Sequence, residues 1–382
     1  MEYKKYKLSE IGDIISGATP KTSVEDYFGG DIAWITPADL SGYTGKYISH
    51  GKRNLSEKGY NSCGTQLMPE GSVLFSSRAP IGYVAIAANP VCTNQGFKSI
   101  VPNAYVSSEY LYYQLLCLKK QIQDMGSGTT FKEISAKKFA DIQIVVPSRS
   151  EQDYVVSRIE ELLSQLNTGI GTLNTIQTQL IAYRRSVVQY ELKKEYAGIQ
   201  WKDTTFGEIC DCLDSKRRPV NKKEREHAEG KYPYYGANGE TGRIDDYLFD
   251  EELVLVCEDE TFSGRIKPFS YVISGKSWVN NHAHILRGKK GVLQNKYLNY
   301  ALSYYPFLSI VTGTTGRKKL TQAALLKAPI KICDFETQGK IVDAIETRLT
   351  ICDSIEKTVH YILQQAVLMR ELILKKAFDG GL

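Results

Sequence analysis

Two histidines one residue apart, His282 and His284, and an acidic run, Glu258-Asp259-Glu260, are the side chains best suited to hold a metal ion. Alternate residues of a strand share one face, so both imidazoles could converge on a cation beside a carboxylate. A related stretch nearer the N-terminus puts Gln95 and Phe97 at the matching places, at an offset of 187, and those residues do not make a shared metal site. The acidic run lacks the nearby lysine of a nuclease centre. Gly275-Lys276-Ser277 ends like a phosphate-binding loop, but Ser270 stands where such a loop needs its first glycine. The eight cysteines, at 63, 92, 117, 210, 212, 257, 333 and 352, have no CxxC spacing and read as reduced structural thiols. The chain thus offers groups for binding and no evident catalytic centre.

The elements that position these groups repeat. Gly128-Thr129-Thr130 recurs as Gly313-Thr314-Thr315, and Ile134-Ser135 as Leu320-Thr321, one residue having been inserted between. The later offset of 186 persists through Gln152 and Gln338 to Val187 and Ile373. Each repeat ends in a long helix without internal proline. In the first, Ile159, Leu166, Leu173, Leu180 and Val187 fall seven apart, with Leu162, Ile176 and Tyr183 three residues after their partners. In the second, Ile345, Cys352, Val359, Ala366 and Ile373 are joined by Ile355, Ile362 and Met369. This is the a/d pattern of a coiled coil. Some forty residues at about 1.5 Å each give a rod of roughly 60 Å. The two seams are expected to pack on each other, antiparallel, as a spacer. Helices lying singly on their own domains are the alternative, which the narrow stripe disfavours. Before each helix, short β-type runs such as 71–75, 81–86, 253–256 and 271–273 alternate with Gly and Pro turns. The expected fold class is α+β with a pseudo-two-fold internal repeat. Residues 1–149 and 197–335 form globular heads of mixed β-sheet with short helices, joined by long helices over 150–196 and 336–382.

The 382 residues carry a formal charge of +5. Divided along the repeat, the heads hold +3 and +4 and each helix −1. That distribution suits phosphate contacts by the heads. Its local clusters are Lys137-Lys138, Lys216-Arg217-Arg218, Lys222-Lys223, Lys289-Lys290 and Arg317-Lys318-Lys319, each of which could equally be a solvated face. No run of about eighteen apolar residues is present to span a bilayer. The first ten residues lack the apolar segment of a secretory signal, so a cytoplasmic protein is expected.

Several segments, in their order and duplication, resemble the specificity subunits of type I restriction–modification systems across essentially the whole chain. They include Gly17-Ala18-Thr19-Pro20, Tyr27-Phe28-Gly29-Gly30-Asp31-Ile32-Ala33-Trp34, Ser77-Arg78-Ala79-Pro80-Ile81-Gly82 and Thr93-Asn94-Gln95-Gly96-Phe97. The second half adds Tyr234-Tyr235-Gly236-Ala237-Asn238-Gly239 and Val279-Asn280-Asn281-His282-Ala283-His284. The resemblance implies that each head is a target-recognition domain reading one half of a bipartite site in double-stranded DNA. The helices would set the spacing and dock two modification subunits. Chemistry would lie elsewhere: no cofactor is expected in this chain, while S-adenosylmethionine, ATP and Mg would belong to the modification and restriction subunits. Asn89-Pro90 runs on to Val91, so the Asn-Pro-Pro-aromatic adenine pocket is missing. The alternative is a self-sufficient DNA-modifying or DNA-cleaving enzyme, which would turn over with Mg or S-adenosylmethionine alone.

Within that frame Arg78 suits bidentate contact with guanine, or a structural bond to nearby carbonyls. Asn94, Gln95, Asn238, Asn280 and Asn281 carry groups suited to adenine edges or to turn backbone, and His282 stands beside the last pair. The acidic run either repels wrong bases or accepts from cytosine N4. Thr129, Thr130, Thr314 and Thr315 offer phosphate donors, with Lys132, Arg317 and Lys318 beside them. Lys216, Arg217 and Arg218 join this set. Tyr234 and Tyr235 either bond phosphate or fill the core.

Overall fold

A computed structural model describes residues 4–128, 132–196, 198–221, 230–259, 262–313 and 318–379. The chain divides into two compact units, Met1–Thr172 with Ile362–Leu382, and Leu173–Tyr361.

In the first unit a five-stranded sheet runs in the order Gly12–Ser16, Lys98–Pro102, Val73–Ser77, Ile81–Ala87, Tyr47–Ile48. Its pairs are antiparallel except the last, which is parallel, so the sheet is mixed. Val73 and Phe75 pack with Leu111, Leu115 and Phe139, while Leu74 packs with Ala85 and Phe97 in a separate cluster. The period of two thus buries both faces, which is why Val73, Leu74 and Phe75 form an unbroken apolar run. Helix Ser108–Cys117 begins at Ser107, whose Oγ accepts from the Tyr110 amide at 3.0 Å.

In the second unit one antiparallel sheet runs Cys210–Cys212, Ala283–Gly288, Leu253–Cys257, Ser270–Ile273. A second sheet runs Gly239–Ile244, Tyr232–Gly236, Lys276–Val279, Phe249–Asp250, with one parallel pair. Val254 and Val256 pack with Leu298 and Phe307, and Leu253 and Leu255 pack with Phe249 and Val279.

The same clamps tie helix to head in each unit. Gln152 is fully buried; its Oε1 accepts from Ser107 N at 2.9 Å and its Nε2 donates to the Tyr105 and Pro147 carbonyls at 2.8 and 3.0 Å. Gln338 repeats this with Gln294 N at 3.0 Å and the Val292 and Cys333 carbonyls at 2.9 and 3.0 Å. Tyrosine hydroxyls hold the closing strands likewise, Tyr110 to Val145 O at 3.1 Å and Tyr297 to Lys331 O at 3.4 Å. Part of the tyrosine excess, 25 against 12 phenylalanines, has this role: an apolar ring in the core and a hydroxyl for a strand-edge carbonyl.

The long helices are Arg149–Lys193 and Phe335–Phe378. In the first unit Ile159 clusters with Leu374 and Ala377, and Arg370 donates to Asn167 Oδ1 at 2.7 Å. In the second, Arg184 reaches Asp353 at 2.6 Å and Glu356 at 2.8 Å, and Arg348 reaches Glu191 at 3.0 Å. In each unit one residue number rises as the other falls, so the pairing is antiparallel. The expected seam is corrected in one respect. Ile345, Cys352, Val359, Ala366 and Ile373 are all buried, but Ile355, Ile362, Met369 and Tyr183 are 39–51% exposed. On the second helix the partner covers only the stripe of every seventh residue and leaves the adjoining stripe to solvent, whereas on the first helix Leu162 and Ile176 are half-buried. Among the described residues no helix is long and apolar enough to cross a membrane.

Candidate nucleic-acid interface

Each head builds the same turn and the same loop base. In the first, Asn94 Oδ1 accepts from the Gly96 amide at 2.9 Å; in the second, Asn280 Oδ1 accepts from His282 N at 2.8 Å. These side chains shape the turn, as asparagine does when it bonds backbone two residues on. The turn carbonyl then pairs with the sheet, Ser77 N to Gly96 O at 2.7 Å and Glu258 N to His282 O at 3.0 Å. Ser77 and Glu258 in turn accept from Ile134 N at 3.0 Å and Leu320 N at 2.8 Å. Just before those residues each loop is closed by two backbone bonds, between Ser127 and Glu133 and between Thr312 and Lys319. Thr129, Thr130, Thr314, Thr315 and Arg317, together with Lys222, Lys223 and Glu260, lie outside the described residues.

These bonds set the internal register at 186, so Gly96 and Lys98 match His282 and His284. The offset of 187, which pairs Gln95 and Phe97 with the histidines, is corrected by one residue. His284 is engaged on both nitrogens: Nδ1 lies 2.6 Å from Asp214 Oδ2, and Nε2 lies 2.8 Å from the Leu320 carbonyl, which can only accept. His282 Nδ1 turns to Asp259 instead, at 2.8 Å.

In the first head Arg78 follows strand Val73–Ser77 and lies 3.7 Å from Glu133, which also has Lys98 at 3.9 Å. Gln95 is exposed and meets the Thr19 hydroxyl; Lys132 is exposed. Gly17 lies so close to the turn that a Cβ there would meet Asn94 O at 2.1 Å, so glycine is required. In the second head a concavity of about 620 Å³ gathers Asn238, Asn280, His282 and Lys318 with Asp259 and Lys319. Asn238 Oδ1 accepts from Arg265 at 2.7 Å, and Asn281 is exposed. Lys216 and Arg218 are exposed as well.

Two residues of the expected set face inward. Arg217 donates to the Ala283 and Asp214 carbonyls at 3.0 and 3.2 Å, pairs with Glu258, and keeps 17% of its side chain exposed. Tyr234 is 2% exposed, with its hydroxyl on the Val220 backbone. Sequence reasoning missed the network that holds Arg217: Asp214, Glu258, His284 and Lys319. Burial alone would raise the Asp214 carboxyl, but the His284 bond and charge, the Ile285 amide and Arg217 outweigh it and hold it below the usual carboxylate range. Glu258 is likewise held low, because Lys319 at 2.8 Å, Arg217 and His284 overcome its burial. The network fixes the base of the Lys318-Lys319 segment to the strand carrying the Asn280 turn.

The model of the type I restriction modification DNA specificity domain matches residues 1–178 and 199–363. The chain belongs to this family. It is 44% identical over 153 residues to the type I restriction enzyme MjaIX specificity subunit of Methanocaldococcus jannaschii, covering 40% of this chain and 35% of that one. It is 32% identical over 152 residues to a putative specificity subunit of Haemophilus influenzae, covering 40% and 38%. The chain thus spans little more than a third of the length of these curated relatives. A longer, more distant match joins it to the EcoDI specificity subunit of Escherichia coli, 21% identical over 338 residues and covering 74% and 72%. The fold is that of the HsdS subunit from Thermoanaerobacter tengcongensis, with a TM-score of 0.62, 17% identity, and coverage of 100% and 97%. A chain from a structure of a type I R-M system in complex assembly and conformational transition gives 0.72, 16%, 100% and 98%.

Proposed function

We propose that the chain is the sequence-specific DNA-binding specificity subunit of a type I restriction–modification complex, acting in the cytoplasm. Each head reads one half of a bipartite site in double-stranded DNA, and the long helices set the distance between the halves. The observation that carries this reading is the duplicated site. The same asparagine turn and the same backbone-closed loop base recur in two heads whose other loops differ, as separate reading of two half-sites requires. The basic excess on the heads supplies the phosphate term.

The chain brings recognition and no chemistry of its own. Methyl transfer from S-adenosylmethionine falls to two modification subunits, and ATP- and Mg-dependent cleavage to restriction subunits. The stripe left uncovered on the C-terminal helix supports docking of the modification subunits. It presents Ile351 and Ile355 in one unit, and Ile362, Met369 and Leu372 in the other. The test is reconstitution. The chain with its modification subunits and S-adenosylmethionine methylates adenine at one bipartite sequence, and the chain alone transfers nothing. Methyl transfer by the chain alone would refute the reading.

A further inference from the structure

The two heads share a backbone scheme and carry opposite charges on it. Ser77 and Glu258 occupy one position, fixed by the bonds to Gly96 or His282 on one side and to Ile134 or Leu320 on the other. The residue that follows is Arg78 in the first head and Asp259 in the second. The residue that closes the loop is Glu133 in the first head and Lys319 in the second. Cation and anion have changed places at two matched positions, in heads that otherwise keep the same turn.

The exchange matters because the two side chains do opposite things. A guanidinium only donates hydrogen bonds, and an ionised carboxylate only accepts them. In the major groove guanine offers two acceptors, O6 and N7, whereas cytosine N4 and adenine N6 are amine donors. We propose that Arg78 and Asp259 are matched base-discriminating residues. Arg78 donates to guanine in one half-site, and Asp259 accepts from an exocyclic amine, cytosine N4 in the first place, in the other. Both tips can reach a groove, with 36% of the Arg78 side chain and 40% of the Asp259 side chain exposed. Each is also held by a neighbour, Arg78 by Glu133 at 3.7 Å and Asp259 by His282 at 2.8 Å. A lone carboxylate would repel DNA; here Lys318 and Lys319 line the same concavity and offset it. The inference rests on the DNA-reading role proposed above.

The test uses the full chain assembled with its modification subunits. Methylated-adenine mapping gives the site, and exchange of residues 1–149 identifies the half read by the second head. Duplexes with each base of that half replaced singly are then titrated against wild type, Asp259→Ala and Asp259→Glu. Wild type discriminates by about 5- to 150-fold at one amine-bearing base, the range of one good base contact. Asp259→Ala brings that ratio within about twofold of one, Asp259→Glu keeps its direction, and preferences in the other half do not move. A cytosine or an adenine at the sensitive position tells the two amines apart. A merely structural defect would weaken binding to every duplex equally and leave the ratio intact, which overturns the inference. So does an Asp259→Glu variant that prefers a different base. If wild type itself shows no sequence preference, the DNA-reading role fails, and this inference with it.

Discussion

Replacing Asp214 by alanine removes the centre of the buried network in the second head. Its Oδ1 accepts from the Ile285 amide at 2.9 Å, and its Oδ2 lies 2.6 Å from His284 and 3.3 Å from Arg217. The carboxylate side chain is 6% exposed and the His284 ring 2%, so the pair lies away from bulk water. Breaking a buried charged pair from one side costs about 3–5 kcal/mol. An orphaned buried amide adds a cost of about 1–3 kcal/mol that overlaps with the first and does not sum with it. The expected loss is therefore about 3–5 kcal/mol, confined to the second head. Hydrogen exchange at neutral pH reads this directly. Amides of 283–288 lose protection by a factor of about 10² to 10³ or more, while those of 73–77 keep theirs. The pH dependence has a definite sign. Asp214 and Glu258 have folded values below their unfolded ones, so their contribution is present at neutral pH and fades as pH falls through the depressed values, below about 4. Asp214→Ala flattens that acid limb. A loss below about 1 kcal/mol, the scale of an exposed ion pair, or equal losses in both heads, would refute the reasoning.

Two further outcomes follow from the site and the helices. Lys132→Ala with Lys318→Ala weakens DNA binding by a similar factor on every sequence and flattens the salt dependence by about two logarithmic slope units; a change in sequence preference would contradict their assignment to phosphate. Ile362→Asp with Met369→Asp, at positions 43% and 47% exposed, leaves chain stability within about 0.5 kcal/mol and lowers affinity for modification subunits at least about tenfold in calorimetry; unchanged affinity would place docking elsewhere.

The duplication and the long helices were legible because both are periodic in sequence: Gln152 and Gln338 recur at the repeat offset and make the same three hydrogen bonds. The heptad spacing identified apolar positions but could not say how wide a stripe one partner covers, so Ile355, Ile362 and Met369 were placed in a seam they do not enter. Asn94 and Asn280 were legible as turn residues. The charged network was not, because Asp214, Glu258 and His284 meet only through sheet order. Strand Cys210–Cys212 lies beside Ala283–Gly288, more than seventy positions away, and no local pattern announces that pairing. Arg217 shows the same limit: a basic triplet marks charge, while its inward course depends on carbonyls at 214 and 283.

The central claim is that two heads read two half-sites independently. The most direct measurement is methylated-adenine mapping of the reconstituted complex before and after residues 1–149 are exchanged for the head of another family member. The account predicts a bipartite motif with a fixed spacer, in which one half changes, while the other half and the spacer stay the same. A change in both halves, in neither, or in the spacer alone would contradict it.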